Sequence, residues 1–251
     1  FPESPRWHDG ALWMVDMHAH KVLRLDPATR KMDIAIHLKD DRPSAMGFQP
    51  DGTMLIVSAR KRQLLKADRS GNTTVYCDLN SIPGDNFNDM VVDGQGRAYV
   101  GNRFKHSTNT SPSREGIVLV TTDGRAREVA NDLYSPNGTV ITADGKTLIV
   151  GQSKAHKLIA FDIEPDGSLT NRRLWANCAR GSGEPNASRD PSPDGTTLDA
   201  DGGIWYGSPR TGEFLRVLEG GKVTDRIELP KGYRGVACML GGADRRDLFL
   251  L

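Results

Sequence analysis

The sequence predicts an all-β fold, a six-bladed β-propeller of four-stranded antiparallel blades, and three observations predict it. A three-part unit recurs along the 251 residues. A polar turn leads into a short alternating strand, a tight Asp-Gly turn follows, and a strand rich in Trp, Tyr, Leu, Ile and Val closes the unit. The turns fall at Asp9, Asp51, Asp93, Asp144 and Asp201, with a weaker form at Asp244. Their spacing of about 42 to 57 residues suits blades of four strands. Finally, long helical periodicity is missing, and each gap between units offers up to two more strands. Six repeats of four short antiparallel strands make a closed propeller.

Unit one pairs Glu3–His8 with Leu12–Val15, and unit two pairs Pro43–Phe48 with Met54–Val57. Unit three pairs Asn88–Val92 with Ala98–Val100, and unit four pairs Pro136–Ile141 with Leu148–Val150. Unit five runs from Ser192 to Tyr206, and unit six pairs Val236–Leu240 with Leu248–Leu250. Outer strands are expected at Val22–Leu25, Met32–Ile36, Gly116–Val120, Ala126–Val129 and Leu158–Phe161, with a weak one around Leu169. Asp-Gly is a common hairpin turn, so a β-sandwich could carry it by accident. Six copies with matched flanks favour the propeller. The chain reads as one domain over residues 1–251. It starts on an inner strand and stops on the second strand of unit six. The outer strands of the last blade are therefore expected in flanking sequence, because an open blade leaves an unpaired edge.

Composition narrows the function. Lys and Arg number 33 against 32 Asp and Glu, so no basic excess points to nucleic acid. No apolar run approaches the roughly 20 residues that span a membrane, and no signal peptide is visible. Cys77, Cys178 and Cys238 are odd in number and widely spaced, which argues against a disulfide framework or a zinc site. They read as buried thiols in a reducing compartment, the cytoplasm.

Equivalent residues of different blades converge on a propeller's axis. At the mouth of each inner strand stand Glu3, Ser44, Asn88, Asn137, Asp194 and, roughly, Ala237. All but Ala237 carry a side-chain oxygen suited to a hard cation, although Asp and Asn at such places also shape turns. Two carboxylates and two amides suit Ca²⁺, Mg²⁺ or Mn²⁺, with water completing the shell. Loops between second and third strands are expected on the same face. They carry His18, Arg60–Arg62, Arg103, His106, Lys154 and Pro209–Thr211. The loop from Asn102 to Glu115 is the longest, and Glu184 to Arg189 offers a second approach to the channel. No nucleophile elbow, phosphate loop or His-Glu-x-x-His motif is present. The chemistry that matches an oxygen-ligated cation is metal-assisted hydrolysis.

Several stretches together resemble the gluconolactonase, regucalcin (senescence marker protein) and luciferin-regenerating enzyme family. They are Pro2-Glu3-Ser4-Pro5-Arg6-Trp7, Asn88-Asp89 with Asp93 and Gly96-Arg97, Ser135-Pro136-Asn137-Gly138, Pro193-Asp194-Gly195, and Cys238–Gly242. The resemblance implies a six-bladed propeller with one divalent cation in the channel. It implies Ca²⁺ first, with Zn²⁺, Mg²⁺ or Mn²⁺ compatible, and hydrolysis of a small, sugar-like lactone. It makes Glu3, Asn137 and Asp194 the metal ligands and Asp194 the general base. Asn88 would contact substrate or a metal-bound water, and Asn86, Arg103, His106 and His18 would line the substrate side. Ser4 stands where Gly is usual after the Glu, and Asn86 where sugar-lactone members can carry Arg. His106 lies near the place of an acidic residue. A related esterase or organophosphate hydrolase, and a non-catalytic calcium- or protein-binding propeller, are the competing readings.

Overall fold

The structure, a computed structural model, describes residues 1–104, 115–180 and 189–251. His106 and Glu184 lie outside the described residues. The first sheet holds β1 (Pro2–His8), β2 (Ala11–Asp16), β3 (Lys21–Asp26) and β4 (Lys31–His37). The second holds β5 (Pro43–Phe48), β6 (Met54–Ser58), β7 (Gln63–Ala67) and β8 (Thr73–Asp78). The third holds β9 (Asn86–Val92), β10 (Ala98–Arg103), β11 (Glu115–Val120) and β12 (Ala126–Leu133). The fourth holds β13 (Pro136–Ile141), β14 (Thr147–Gln152), β15 (Lys157–Ile163) and β16 (Leu169–Asn177). The fifth holds β17 (Thr196–Leu198), β18 (Ile204–Ser208), β19 (Glu213–Val217) and β20 (Val223–Glu228). The sixth is the pair β21 (Cys238–Gly241) and β22 (Asp247–Leu250).

Each sheet is an antiparallel meander in chain order. The first strands neighbour one another in the sequence β1, β5, β9, β13, β17, β21, and β21 returns to β1. The sheets therefore form a ring, a β-propeller with the first strands innermost. Among the described residues five sheets have four strands and the sixth has two, so the expected four-stranded blade is met in five positions.

The core lies between sheets. Met54 and Ile56 of β6 face Val15 and Val22 of the first sheet. Leu55 and Val57 of the same strand face Phe87, Val100 and Val118 of the third. Successive side chains of a strand point to opposite faces, so a middle strand serves two cores and reads as an unbroken apolar run. β10 repeats the device, with Val100 on one side and Tyr99 on the other. Outermost strands lack a second neighbour, and β20 is exposed along most of its length.

The Asp-Gly turns differ in geometry. Asp9 and Gly10 have φ of 48° and 70° and close a two-residue hairpin between His8 and Ala11, the type I′ form. At Asp51-Gly52 only the glycine is left-handed, and Gln49 N–H donates to Thr53 C=O at 2.8 Å around a three-residue loop. All three cysteines are free and buried. Among the described residues no helix is long and apolar enough to cross a membrane.

Candidate functional site

The innermost strands share an irregularity at one end. Pairing of β1 with β2 skips between Glu3 and Arg6, and β5 with β6 between Pro43 and Ala45. On β9 the skip spans Asn88 and Asp89, opposite Gly101. On β13 it falls between Asn137 and Thr139. Such a bulge inserts an extra residue and re-aims a side chain. Two bulges use left-handed backbone, with φ of 49° at Ser4 and 38° at Gly138. Asp194 lies just before β17. Its N–H donates to Gly207 C=O at 2.9 Å, and the Gly195 N–H donates to Val236 C=O at 2.8 Å.

These backbones turn Glu3, Asn88, Asn137 and Asp194 into one cleft of about 430 Å³, which Arg103 and His18 also line. The amides and one carboxylate form a chain. Asn88 Nδ2 donates to Asn137 Oδ1 at 3.0 Å, and the Gly138 N–H donates to the same oxygen at 3.2 Å. Asn137 Nδ2 donates to Asp194 Oδ1. A Cβ on Gly138 would lie 1.9 Å from the Asp194 carbonyl oxygen, so a glycine is required for the third and fourth ligand-bearing segments to meet.

Side chains behind the cleft brace these segments. Ser153 Oγ donates to Pro193 C=O at 2.7 Å, and Ser192 Oγ donates back to Ser153 C=O at 2.7 Å. The fully buried Glu115 carboxylate accepts the Phe104 N–H at 3.3 Å and the Ser135 N–H. One acid thus fixes the backbone beside both Arg103 and Asn137. Ser4 Oγ accepts the Met46 N–H at 3.1 Å and donates to Asp89 Oδ1 at 3.3 Å.

Electrostatics set the cleft apart. Burial raises the proton affinity of Glu3 well above the usual carboxylate range, and the charges of Asp194 and Asp89 add to it. Burial also raises Asp194, and Asp89 adds to it, while Arg103 and the Asn137 hydrogen bond oppose the shift. Carboxylates crowded in a low-dielectric space resist ionising together. Arg103 is the cation that faces both.

Not every residue expected at the site is there. Ser44 is buried, and its Oγ bonds Phe87 C=O at 3.0 Å and Asn88 C=O at 3.2 Å, so it ties two strands together rather than facing the cleft. Asn86 pairs with Arg103 at the strand end but is not among the lining residues. His18 sits exposed at the rim, edge-on to Phe1 with ring centroids 5.8 Å apart. Of the expected loops, those bearing His18, Arg103, Lys154 and Arg210 border the cleft, whereas Arg60–Arg62 do not. Sequence reasoning misses Asp89, Ser153, Ser192 and Arg234. Asp89 stands beside Asn88 with a side chain that only the bulge turns inward. Arg234 lies in a connection without strand periodicity.

A divalent cation fits this donor set on its chemistry. The side chains of Glu3, Asn137 and Asp194 each offer a hard oxygen, no cysteine lines the cleft, and its imidazole, His18, stands at the rim. Among the described residues no three His, Cys, Asp or Glu side chains are grouped to hold a metal. A cation bound by Glu3 and Asp194 would need its third protein ligand from an amide, and Asn137 is placed to supply one. A positive charge between Glu3 and Asp194 would also favour the ionised forms that burial first, and neighbouring acids second, disfavour.

Comparison with known proteins agrees with this architecture. The chain is 25% identical over 250 residues to 6-deoxy-6-sulfogluconolactonase of Pseudomonas putida, covering 99% of this chain and 81% of that protein. It is 27% identical over 254 residues to regucalcin of Xenopus laevis, again covering 99% and 81%. A crystal structure of a calcium-binding regucalcin from Agrobacterium tumefaciens superposes with a TM-score of 0.82 at 21% identity, covering 100% of this chain and 81% of that one. The family described as the SMP-30/Gluconolactonase/LRE-like region matches residues 1–251, and with a propeller whose inner strands deliver two carboxylates and two amides to one cleft, the chain belongs to that family.

Proposed function

We propose that the protein is a divalent-metal-dependent hydrolase that opens a small, sugar-like lactone in this cleft. The observation that carries the proposal is the meeting of Glu3, Asn88, Asn137 and Asp194, from four different sheets, in one cleft with Arg103. A scaffold that served only to bind partners through its surface would not need two carboxylates facing each other there. Lactonase names among relatives support the same reading.

Glu3, Asn137 and Asp194 would hold the cation, which supplies Lewis-acid polarisation of the lactone carbonyl. Ca²⁺ is the first choice for an all-oxygen set, and the regucalcin structure is described as calcium-binding. Asp194 takes a proton from the attacking water. The water oxygen bonds to the carbonyl carbon, the ring C–O bond breaks, and the released alkoxide takes up the proton. The product is one hydroxy acid, ionised at neutral pH. Asn88 hydrogen-bonds substrate or water, and Arg103 donates to oxygens near the carboxylates. His18 stands at the entrance.

A panel of aldonolactones assayed with and without chelator tests this, alongside Asp194→Asn. The proposal expects chelator to abolish turnover and Ca²⁺ or another divalent ion to restore it. The variant should lose about 10²-fold or more in kcat. Full activity in metal-free protein would refute the mechanism. Metal binding without turnover of any lactone or ester would favour a binding protein.

A further inference from the structure

Two arginines without an acid partner line the same cleft. Arg210 and Arg234 both line it and are exposed. Several surface arginines lean on acids, Arg125 on Asp123 at 2.6 Å, Arg127 on Asp166 at 3.1 Å and Arg173 on Asp162 at 2.6 Å, whereas a few such as Arg30 and Arg69 point to solvent away from this cleft. Arg180 and Arg226 share Glu213 at 2.6 and 2.7 Å. Among the described residues neither Arg210 nor Arg234 has a hydrogen-bond or ion-pair partner for its guanidinium. The other lining cation on this side, Lys154, pairs with Glu115 at 3.7 Å.

The backbone beneath the pair is built rather than loose. Gly212 N–H donates to Ser208 C=O at 2.9 Å, closing the turn that carries Arg210. Thr211 Oγ1 donates to Ser208 Oγ at 2.7 Å. Leu229 N–H donates to Gly212 C=O at 2.9 Å, tying in the connection that carries Arg234. A Cβ on Gly212 would approach Tyr233 C=O to 3.2 Å, so the backbone just after Arg210 lies against the backbone just before Arg234. Both guanidiniums therefore rise from one wall, on the side of the cleft formed by the fifth sheet, which also supplies Asp194.

With Lys154 already paired to Glu115, the cleft sets three further cationic side chains, Arg103, Arg210 and Arg234, against the carboxylates of Glu3 and Asp194. A bound divalent cation makes the excess larger. A neutral sugar lactone needs hydrogen bonds from its site and gains little from net positive charge. An anion gains steering and a planar, two-pronged partner.

We propose that Arg210 and Arg234 form an anion subsite, so that the preferred substrate is a lactone carrying a second, anionic group. That group is a carboxylate, sulfonate or phosphate on the carbon chain away from the lactone carbonyl. The inference rests on the lactonase reading for the reaction, but its binding component stands apart from it.

Two measurements test it. In the first, kcat/KM is compared for glucono-lactone and for its 6-phospho, 6-sulfo and 6-carboxylate (glucaro-lactone) counterparts, corrected for spontaneous hydrolysis. At least one anionic lactone should exceed the neutral one by roughly tenfold at low salt. That ratio should shrink as ionic strength rises. It should also fall by about tenfold in Arg210→Gln and in Arg234→Gln, and persist largely in Arg210→Lys. A ratio near one in the native protein, or a ratio unchanged in both glutamine variants, overturns the proposal. The preferred anionic counterpart distinguishes carboxylate, sulfonate and phosphate as the source of the charge. In the second, calorimetry compares glucarate with gluconate as ligands of the metal-loaded protein. Tighter binding of glucarate that depends on both arginines supports the subsite even if no lactone is turned over, in which case the lactonase reading alone falls. Lactone turnover with equal affinity for the two acids and no effect of either arginine keeps the lactonase reading and removes the subsite.

Discussion

At the scale of single residues, the cleft depends on positions where the backbone adopts unusual conformations. Gly138 is the sharpest case. Alanine there requires φ near 38° and a Cβ 1.9 Å from the Asp194 carbonyl oxygen, so Asn137 and Asp194 must separate. Gly138→Ala is expected to cost about 3 kcal/mol in denaturant unfolding and to weaken metal binding in parallel. Ser4 shares the left-handed backbone but earns a side-chain bond to Asp89. Ser4→Ala keeps the strain and loses the bond, with an expected loss of about 1–2 kcal/mol. Ser4→Gly relieves the strain and should lose less. Equal destabilisation by both would show that the backbone is not strained there. Protonation gives a further handle. The Asp194 carboxyl is raised to about 7 by burial and by Asp89, against about 4 in an unfolded chain. A raised carboxyl contributes stability that is full below about pH 4 and lost as pH rises through its folded value. In chelated protein the melting temperature should therefore fall between pH 4 and 8 more steeply in the native sequence than in Asp194→Asn. Parallel curves for the two proteins would contradict the assignment.

At the scale of elements, the strands were largely legible and their bulges were not. An apolar run such as Met54–Val57 announces a strand buried on both faces, because alternate residues enter two cores. A bulge is a one-residue excess over the partner strand and leaves no periodic mark. Sequence spacing therefore placed Ser44 with Asn88 and Asn137, while the structure turns Ser44 Oγ onto the neighbouring backbone. The turns at the opposite end of the strands serve stability. Arg97 and Asp93 form a buried pair at 2.7 Å, and Arg97 Nη1 reaches Pro165 C=O of the next sheet at 2.8 Å. Arg97→Leu leaves Asp93 buried without its partner and should cost about 3–5 kcal/mol. At temperatures where the variant remains folded, its affinity for Ca²⁺ should match that of the native protein, since the pair lies away from the cleft. A variant as stable as the native protein would show that the pair contributes nothing net.

At the scale of the whole molecule, the ring converts residues remote in sequence into neighbours. Six repeats made that convergence readable, and with it Glu3, Asn88, Asn137 and Asp194. Arg234 escaped because the connection after Leu229 has neither period nor motif, and its place is fixed by packing on the turn at Gly212 and by packing of Gly235 on Phe214 and Gly207. The inter-sheet cores also govern the thiols. Burial pushes Cys178 up to about 12 and raises Cys77 and Cys238. An unfolded thiol titrates near 8.5, so the contribution of these groups to stability is full below that pH and declines as pH rises toward the folded values. Native protein at pH 8 should leave all three thiols unlabelled by a disulfide reagent, and urea should expose them together; labelling of one thiol before unfolding would show a core that opens locally.

The central claim is that three sheets supply one cation site through Glu3, Asn137 and Asp194. Calorimetric titration of Ca²⁺ into the chelator-treated native protein and into Glu3→Gln, Asn137→Ala and Asp194→Asn tests it most directly. One site per chain, with affinity lowered at least about tenfold in each variant, is the predicted result. Unchanged affinity in all three variants, or no binding to the native protein by Ca²⁺, Mg²⁺, Mn²⁺ or Zn²⁺, would contradict it.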